Sequence, residues 1–384
     1  MNFGFSDDEA AWRDELTTFV ESYGSDDHDA LRDEARALDS ERHARSFYAE
    51  LCKRGWVGVG WPVPGVRPAT PTERFVLHEQ LDSAGLPMYG VEINEAIGWM
   101  LVRNGPEVLA AEHLPRICDG TWSYAGGYSE PEAGSDMFSV RTKAVRAGDT
   151  FRVTGSKLWT SGAHLADWIF ALVRTDAEAT GSRGLSMLLI DTSAPGVDVQ
   201  PVRVMGGWRV NACFFDDVEV PAGNLVGEEG RGARIVGTAL DTERAMSFGG
   251  REGRLLLARL LHRMGSAPDE LNERSLERLG HLVAALEVER LLNLRTSAML
   301  ERGAVAGAEA SMDKVASSEL AQQVARFVAD ELGPDAQSTS GEDALAAAAE
   351  EAVRVSTVLS IIGGTSEIQR NVIAMRGLGL PRAT

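Results

Sequence analysis

Trp168 to Arg174 reads Trp-Ile-Phe-Ala-Leu-Val-Arg, and Leu185 to Asp191 reads Leu-Ser-Met-Leu-Leu-Ile-Asp. Both are short apolar runs ended by charge, the pattern of buried β-strands. Working outward, Phe151 to Val153, Val197 to Val202 and Ala212 to Val220 are further β-rich runs, separated by turn clusters at Ala147-Gly148-Asp149 and Ala194-Pro195-Gly196. Together they define a compact all-β unit from about Tyr124 to Val226. Before it, residues 6 to 122 read as helical, with an acidic start at Ser6-Asp7-Asp8-Glu9, an amphipathic run from Ala11 to Val20 and a second from Ala30 to Cys52. After Gly227-Glu228-Glu229-Gly230 helical periodicity returns through Glu331, breaks at Gly333-Pro334 and resumes as an alanine-rich helix past Asp343. The order is helices, strands, helices: an α+β plan with domains at 1–122, 123–229 and 230–384.

Composition narrows the function classes. The chain has 384 residues, 44% hydrophobic and 25% charged, which suits a globular protein of two or three packed units. With 38 basic against 57 acidic residues the net charge is −19, so a general electrostatic grip on nucleic acid or an anionic membrane is not expected. Cys52, Cys118 and Cys213 are scattered, giving neither a disulfide framework nor a Cys-x-x-Cys motif. Met1 to Ala10 has no basic and apolar leader pattern, and no apolar run approaches the roughly 20 residues of a membrane span, so the expected location is cytoplasmic. Gly55, Gly58 and Gly60 imitate a dinucleotide fingerprint, but a helix precedes them and Trp61-Pro62 follows, the wrong context. The seven histidines make no His-Glu-x-x-His, there is no Gly-x-Ser-x-Gly elbow, and no metal site is expected.

Four segments carry candidate chemistry. On the helix opening near Gly232, Val236, Leu240, Glu243 and Ser247 share a face, which turns Glu243 toward apolar neighbours. Desolvation there raises a carboxyl pKa toward general-base range; pairing with Arg244 is the structural alternative. Ser129-Glu130-Pro131-Glu132-Ala133-Gly134-Ser135-Asp136 is a small-residue turn able to approach a bulky ligand or phosphate, or simply an interdomain turn. In Gly155-Ser156-Lys157-Leu158-Trp159-Thr160-Ser161, Trp159 and Ser161 are two residues apart, one strand repeat, and are expected on one face to stack on and hydrogen-bond to a flat cofactor. Ile362-Gly363-Gly364-Thr365-Ser366-Glu367-Ile368-Gln369-Arg370 is a glycine turn opening onto a helix.

In this order and spacing the four segments resemble the acyl-CoA dehydrogenase family across essentially the full chain. The resemblance implies an N-terminal helical domain, a middle β-barrel and a C-terminal four-helix bundle, with FAD held between barrel and bundle and an acyl thioester (acyl-CoA or carrier-protein-bound) as substrate. It implies α-proton abstraction by a carboxylate and transfer of the β-hydrogen as hydride to flavin N5, giving the trans-2-enoyl thioester. The commoner family position for that carboxylate is occupied here by Gly363; the alternative, on the first bundle helix before an arginine, is Glu243 in Asp241-Thr242-Glu243-Arg244. The resemblance further assigns the Gly363 backbone N–H to the enolate oxygen, Tyr128, Ser129, Trp159 and Ser161 to the flavin, Ser135 to cofactor or pantetheine, Asp241 and Arg244 to the pantetheine arm, and Thr365 and Glu367 to the FAD pyrophosphate and adenosine.

Two departures bear on assembly. Where relatives carry Arg-x-Phe-Gly this chain has Leu261-His262-Arg263-Met264-Gly265-Ser266, and Leu332-Gly333-Pro334-Asp335-Ala336-Gln337 lacks the usual glycine pattern. Both segments reach a neighbour's FAD in relatives. Their loss favours a homologous partner subunit in a heterotetramer, resembling the actinobacterial two-subunit dehydrogenases, over a homo-oligomer. An electron-transfer flavoprotein is the acceptor the family implies. The competing readings are a catalytically silent subunit and a flavin monooxygenase of the same fold.

Overall fold

The computed structural model describes residues 4–40, 43–237, 250–266, 271–302, 307–337 and 343–381. The chain sorts into two compact units, one built from residues 1–22, 70–86 and 241–384, the other from 23–69 and 87–240.

The first unit is helical. Helix α1 (Asp7–Glu21) starts where the acidic cluster predicts: Ser6 Oγ accepts from Glu9 N at 3.3 Å while Ser6 N donates to Glu9 Oε2 at 2.7 Å, a reciprocal cap that satisfies two orphan donors. Helix α4 (Pro71–Ser83) repeats the device with Thr70 and Glu73. The long helices α8 (Gly250–Ser266), α9 (Glu273–Glu301), α10 (Gly307–Leu332) and α11 (Ala344–Leu359) share one core. Leu256, Leu257 and Leu260, Leu279, Leu282 and Leu286, Leu320, Val324 and Phe327, and Leu345 and Ala349 meet there, each set at three- and four-residue spacings or nearly so. Helix α12 (Ser366–Val372) closes the unit.

The second unit holds α2 (Ser25–Ala37), α3 (Arg45–Lys53), α5 (Tyr89–Asn104), α6 (Glu107–Cys118), the start of α7 (232–237) and the sheet. The run read as one helix from Ala30 to Cys52 is two helices. Asp39 takes a left-handed φ of 53° and ends α2, and His43 then makes a bridge to Met88, a tertiary pairing with no local signal. In the Gly55–Gly65 segment the N–H of Gly58 donates to the buried Glu95 at 2.8 Å, so these glycines serve a packed turn.

Eight strands, β1 (Tyr124–Gly127), β2 (Lys143–Ala147), β3 (Thr150–Lys157), β4 (Trp168–Arg174), β5 (Leu185–Asp191), β6 (Val197–Arg203), β7 (Arg209–Pro221) and β8 (Leu225–Val226), form one sheet in the order β6-β7-β3-β2-β4-β5-β8, with β1 parallel to β4. Phe151, Val153, Ile169, Leu188, Ile190, Phe215 and Val218 come from both halves of the sheet into a single core. Between Val153↔Val218 and Gly155↔Phe215 the register shifts: Asp216 and Asp217 oppose Thr154 alone, and Asp217 has φ 49°. This bulge keeps Cys213 and Phe215 inward on one side and Val218 and Val220 inward on the other.

Candidate functional site

Two of the four segments meet at the end of β3. The N–H of Leu158 donates to the Ser129 carbonyl at 3.0 Å, and Lys157 Nζ reaches the Tyr128 carbonyl at 3.4 Å and Glu130 Oε1 at 2.7 Å. Glu130 is a hub: Oε1 also accepts from Thr142 N at 2.9 Å and Oε2 from Arg141 N at 2.7 Å. Burial would raise the Glu130 carboxyl, but the Lys157 ammonium and the donors of residues 141–142 outweigh it and hold the pKa below its ordinary range. Burial pulls Lys157 down to about 8, against the opposing pull of Glu130. Lys157 is in phase with Phe151 and Val153, so a buried lysine was legible in the strand alternation; its partner was not.

Trp159 corrects the sequence reading. The strand ends at Lys157 and Trp159 has φ +64°, so Trp159 and Ser161 are not related by a strand repeat. A left-handed tryptophan is strained and persists only where its surroundings fix it. Here Leu158 is tied to Ser129 on one side, and on the other Thr160 and Asn211 exchange backbone hydrogen bonds of 3.0 and 3.2 Å while Asn211 Nδ2 donates to the Thr160 carbonyl at 2.9 Å. Asn211, wholly buried, also receives Arg209 Nε at 2.7 Å and faces His164 Nδ1 at 3.2 Å. The indole held in this grip is 56% exposed. An exposed aromatic plane on rigid, strained backbone, beside the half-buried Tyr128, Ser129 and Ser161, fits a flat ring system. Ser135 is exposed in the turn beyond the Glu130–Ala133 bridge.

The C-terminal segment lies in the helical unit. Gly363 and Gly364 have φ of 63° and 90°, a double left-handed turn that non-glycine residues resist. Thr365 caps α12, its Oγ1 accepting from Ile368 N at 3.3 Å. Gln369, buried and outside the predicted site set, straps the turn by donating to the Gly363 and Gly364 carbonyls at 2.9 and 3.3 Å. Glu367 is exposed; hydrogen bonding with its own backbone and Thr365 holds its pKa down, an ionised carboxylate at a helix start. Asp241, Glu243 and Arg244 lie outside the described residues. Among the described residues no cluster of three metal-ligating side chains occurs, and no helix is long and apolar enough to cross a membrane.

Helices, sheet, helices is the domain order of the acyl-CoA dehydrogenases. The acyl-CoA dehydrogenase N-terminal, middle and C-terminal domain models match residues 6–121, 125–218 and 230–378, and the chain belongs to that family. Acyl-CoA dehydrogenase FadE26 of Mycobacterium tuberculosis is 33% identical over 360 residues, covering 88% of each chain. Among solved structures, the Tcur3481-Tcur3483 steroid ACAD has a TM-score of 0.87 at 30% identity over the whole of both chains. The ChsE4-ChsE5 complex from Mycobacterium tuberculosis has a TM-score of 0.86 at 29% identity, again over the whole of both chains.

Proposed function

We propose that this protein carries out FAD-dependent α,β-dehydrogenation of an acyl-CoA or carrier-protein-bound acyl thioester to the trans-2-enoyl thioester, within domains bounded at 1–122, 123–229 and 230–384. The observation that carries the reading is Trp159, exposed on strained backbone and clamped by Ser129 and Asn211, in a chain of this family. Bound FAD supplies the hydride acceptor, N5. Tyr128, Ser129, Trp159 and Ser161 hold the ring, Ser135, Thr365 and Glu367 the remainder of the cofactor, and Ser135, Asp241 and Arg244 orient the pantetheine arm. Glu243 takes the α-proton. A carboxylate is too weak a base for an ordinary thioester unless the carbonyl oxygen is stabilised as charge develops, the role of the Gly363 N–H. One solved relative is a steroid enzyme by name, which favours a bulky, ring-bearing acyl group here.

Partner completion has its own observation. Arg263 is engaged within its own chain, its Nη1 2.6 Å from Asp343, the carboxylate that caps α11, which leaves it badly placed to serve a neighbour's phosphate. We read the protein as one subunit of a heterotetramer with a homologous chain, passing electrons to an electron-transfer flavoprotein.

The test is to produce the chain alone and with a homologous chain, record flavin absorption per subunit, and add straight-chain, branched and steroid-ring acyl-CoA thioesters without oxygen. Bleaching of the flavin band by one thioester class, abolished in Glu243→Gln with flavin retained, is the expected result. Undiminished bleaching in Glu243→Gln overturns the base assignment; one FAD per subunit in the chain alone overturns the heteromer.

A further inference from the structure

Lys157 is wholly buried and Glu130 nearly so, and they pair at 2.7 Å. A buried ion pair is a poor stabiliser, because desolvating both charges offsets their attraction; its value lies in fixing geometry. This pair stands at the root of both loops that flank Trp159. Glu130 follows Tyr128 and Ser129; Lys157 precedes Leu158 and Trp159. Three successive contacts join the two segments: Lys157 to the Tyr128 carbonyl, Leu158 to the Ser129 carbonyl, and Lys157 to Glu130. Glu130 extends the tie to β2 through the N–H groups of Arg141 and Thr142, and Thr142 Oγ1 returns to the Ser156 carbonyl at 3.1 Å.

We propose that Glu130 and Lys157 are positioning residues for the flavin: their ion pair sets the spacing between the Tyr128–Ser129 edge and Trp159 at which the ring is gripped, without touching the ring. This rests on the flavin reading above. Glu130 is the counter-ion of Lys157, Cys213 stands opposite that lysine on β7 with its thiol pushed up to about 11 by burial, and the Arg141 guanidinium is turned outward to Glu132 at 2.6 Å. Since burial pulls Lys157 down to about 8, the tie is charged at neutral pH and weakens in mild alkali.

The test measures FAD dissociation constants of the apoprotein, in the oligomer that binds flavin, together with the flavin spectrum and the unfolding midpoint. Glu130→Gln and Lys157→Met are each expected to weaken FAD binding by about tenfold or more and to blur the vibrational structure of the flavin band. The double variant, with no unpaired charge left in the core, is expected to recover unfolding stability but not FAD affinity. In the unaltered protein affinity falls between about pH 7 and about pH 9, and Lys157→Met abolishes that inflection. Recovery of affinity together with stability in the double variant, or FAD binding unchanged in both single variants, overturns the positioning role while leaving the flavin reading intact. No FAD binding by the unaltered protein overturns both.

Discussion

Acid should open the sheet-bearing unit as its buried histidines take up protons. Burial holds His43 and His113 down to about 4 from an ordinary value of 6.5, helped in each case by a neighbouring arginine, Arg45 and Arg116. His113 is 1% exposed, with Nδ1 2.7 Å from Tyr124 Oη and its ring 4.8 and 4.9 Å from those of Trp122 and Trp168. Between pH 6.5 and 4 the unfolded chain binds protons that the native one refuses, so stability is complete above 6.5 and drains away as pH falls. A shift of this size corresponds to about 3 kcal/mol lost per histidine by pH 4. Two such groups approach the whole stability of a typical domain, about 5–15 kcal/mol. Urea melts followed by circular dichroism at half-unit pH steps check this. His113→Phe keeps the ring packing but strands the Tyr124 hydroxyl, so it should be less stable at neutral pH by about 1–2 kcal/mol. Below about pH 5.5 it should overtake the unaltered protein, having no proton to bind. Parallel pH curves for the two proteins, or stability flat between pH 6.5 and 4.5, refute the reasoning.

Trp159→Gly should raise apoprotein stability by about 1 kcal/mol by relieving the left-handed backbone, while flavin retention falls; thermal melts and flavin-to-protein ratios read the two effects separately. Asn211→Ala removes the bonds to Thr160, His164 and Arg209 and should cost about 3 kcal/mol in chemical denaturation; under 1 kcal/mol would mean the Thr160 grip is backbone alone. Gly98→Ala in α5 would gain about 1 kcal/mol by helix propensity, but its Cβ would lie 1.9 Å from the Trp61 ring, so the measured melting temperature should fall instead.

Strands β4 and β5 were legible to the residue because both are almost entirely buried, and continuous apolar runs ended by charge have few other readings. β1 and β2 escaped notice for opposite reasons. Tyr-Ala-Gly-Gly has little strand preference and exists through its parallel pairing with β4, while Lys143–Ala147 is charged and buries only Ala144. The candidate site was legible as motifs and illegible as geometry. Segments 128–136 and 155–161 announced themselves by composition, yet the left-handed turn at Trp159 depends on Ser129 and Asn211, which reach it from 30 residues before and 52 after. Gln369 lay inside a quoted motif, and nothing local marked its amide as the strap of the glycine turn.

The bulge at Asp216 and Asp217 makes tolerance of length change uneven along β7. Asn211 lies on the far side of it from the Val218–Val220 anchor, so loss of one of the two aspartates restores plain alternation and leaves Cys213 and Phe215 inward, whereas loss of a codon between Asn211 and Cys213 would rotate Asn211 away from Thr160. Drift by deletion is absorbed at the bulge and punished in the segment that carries Asn211.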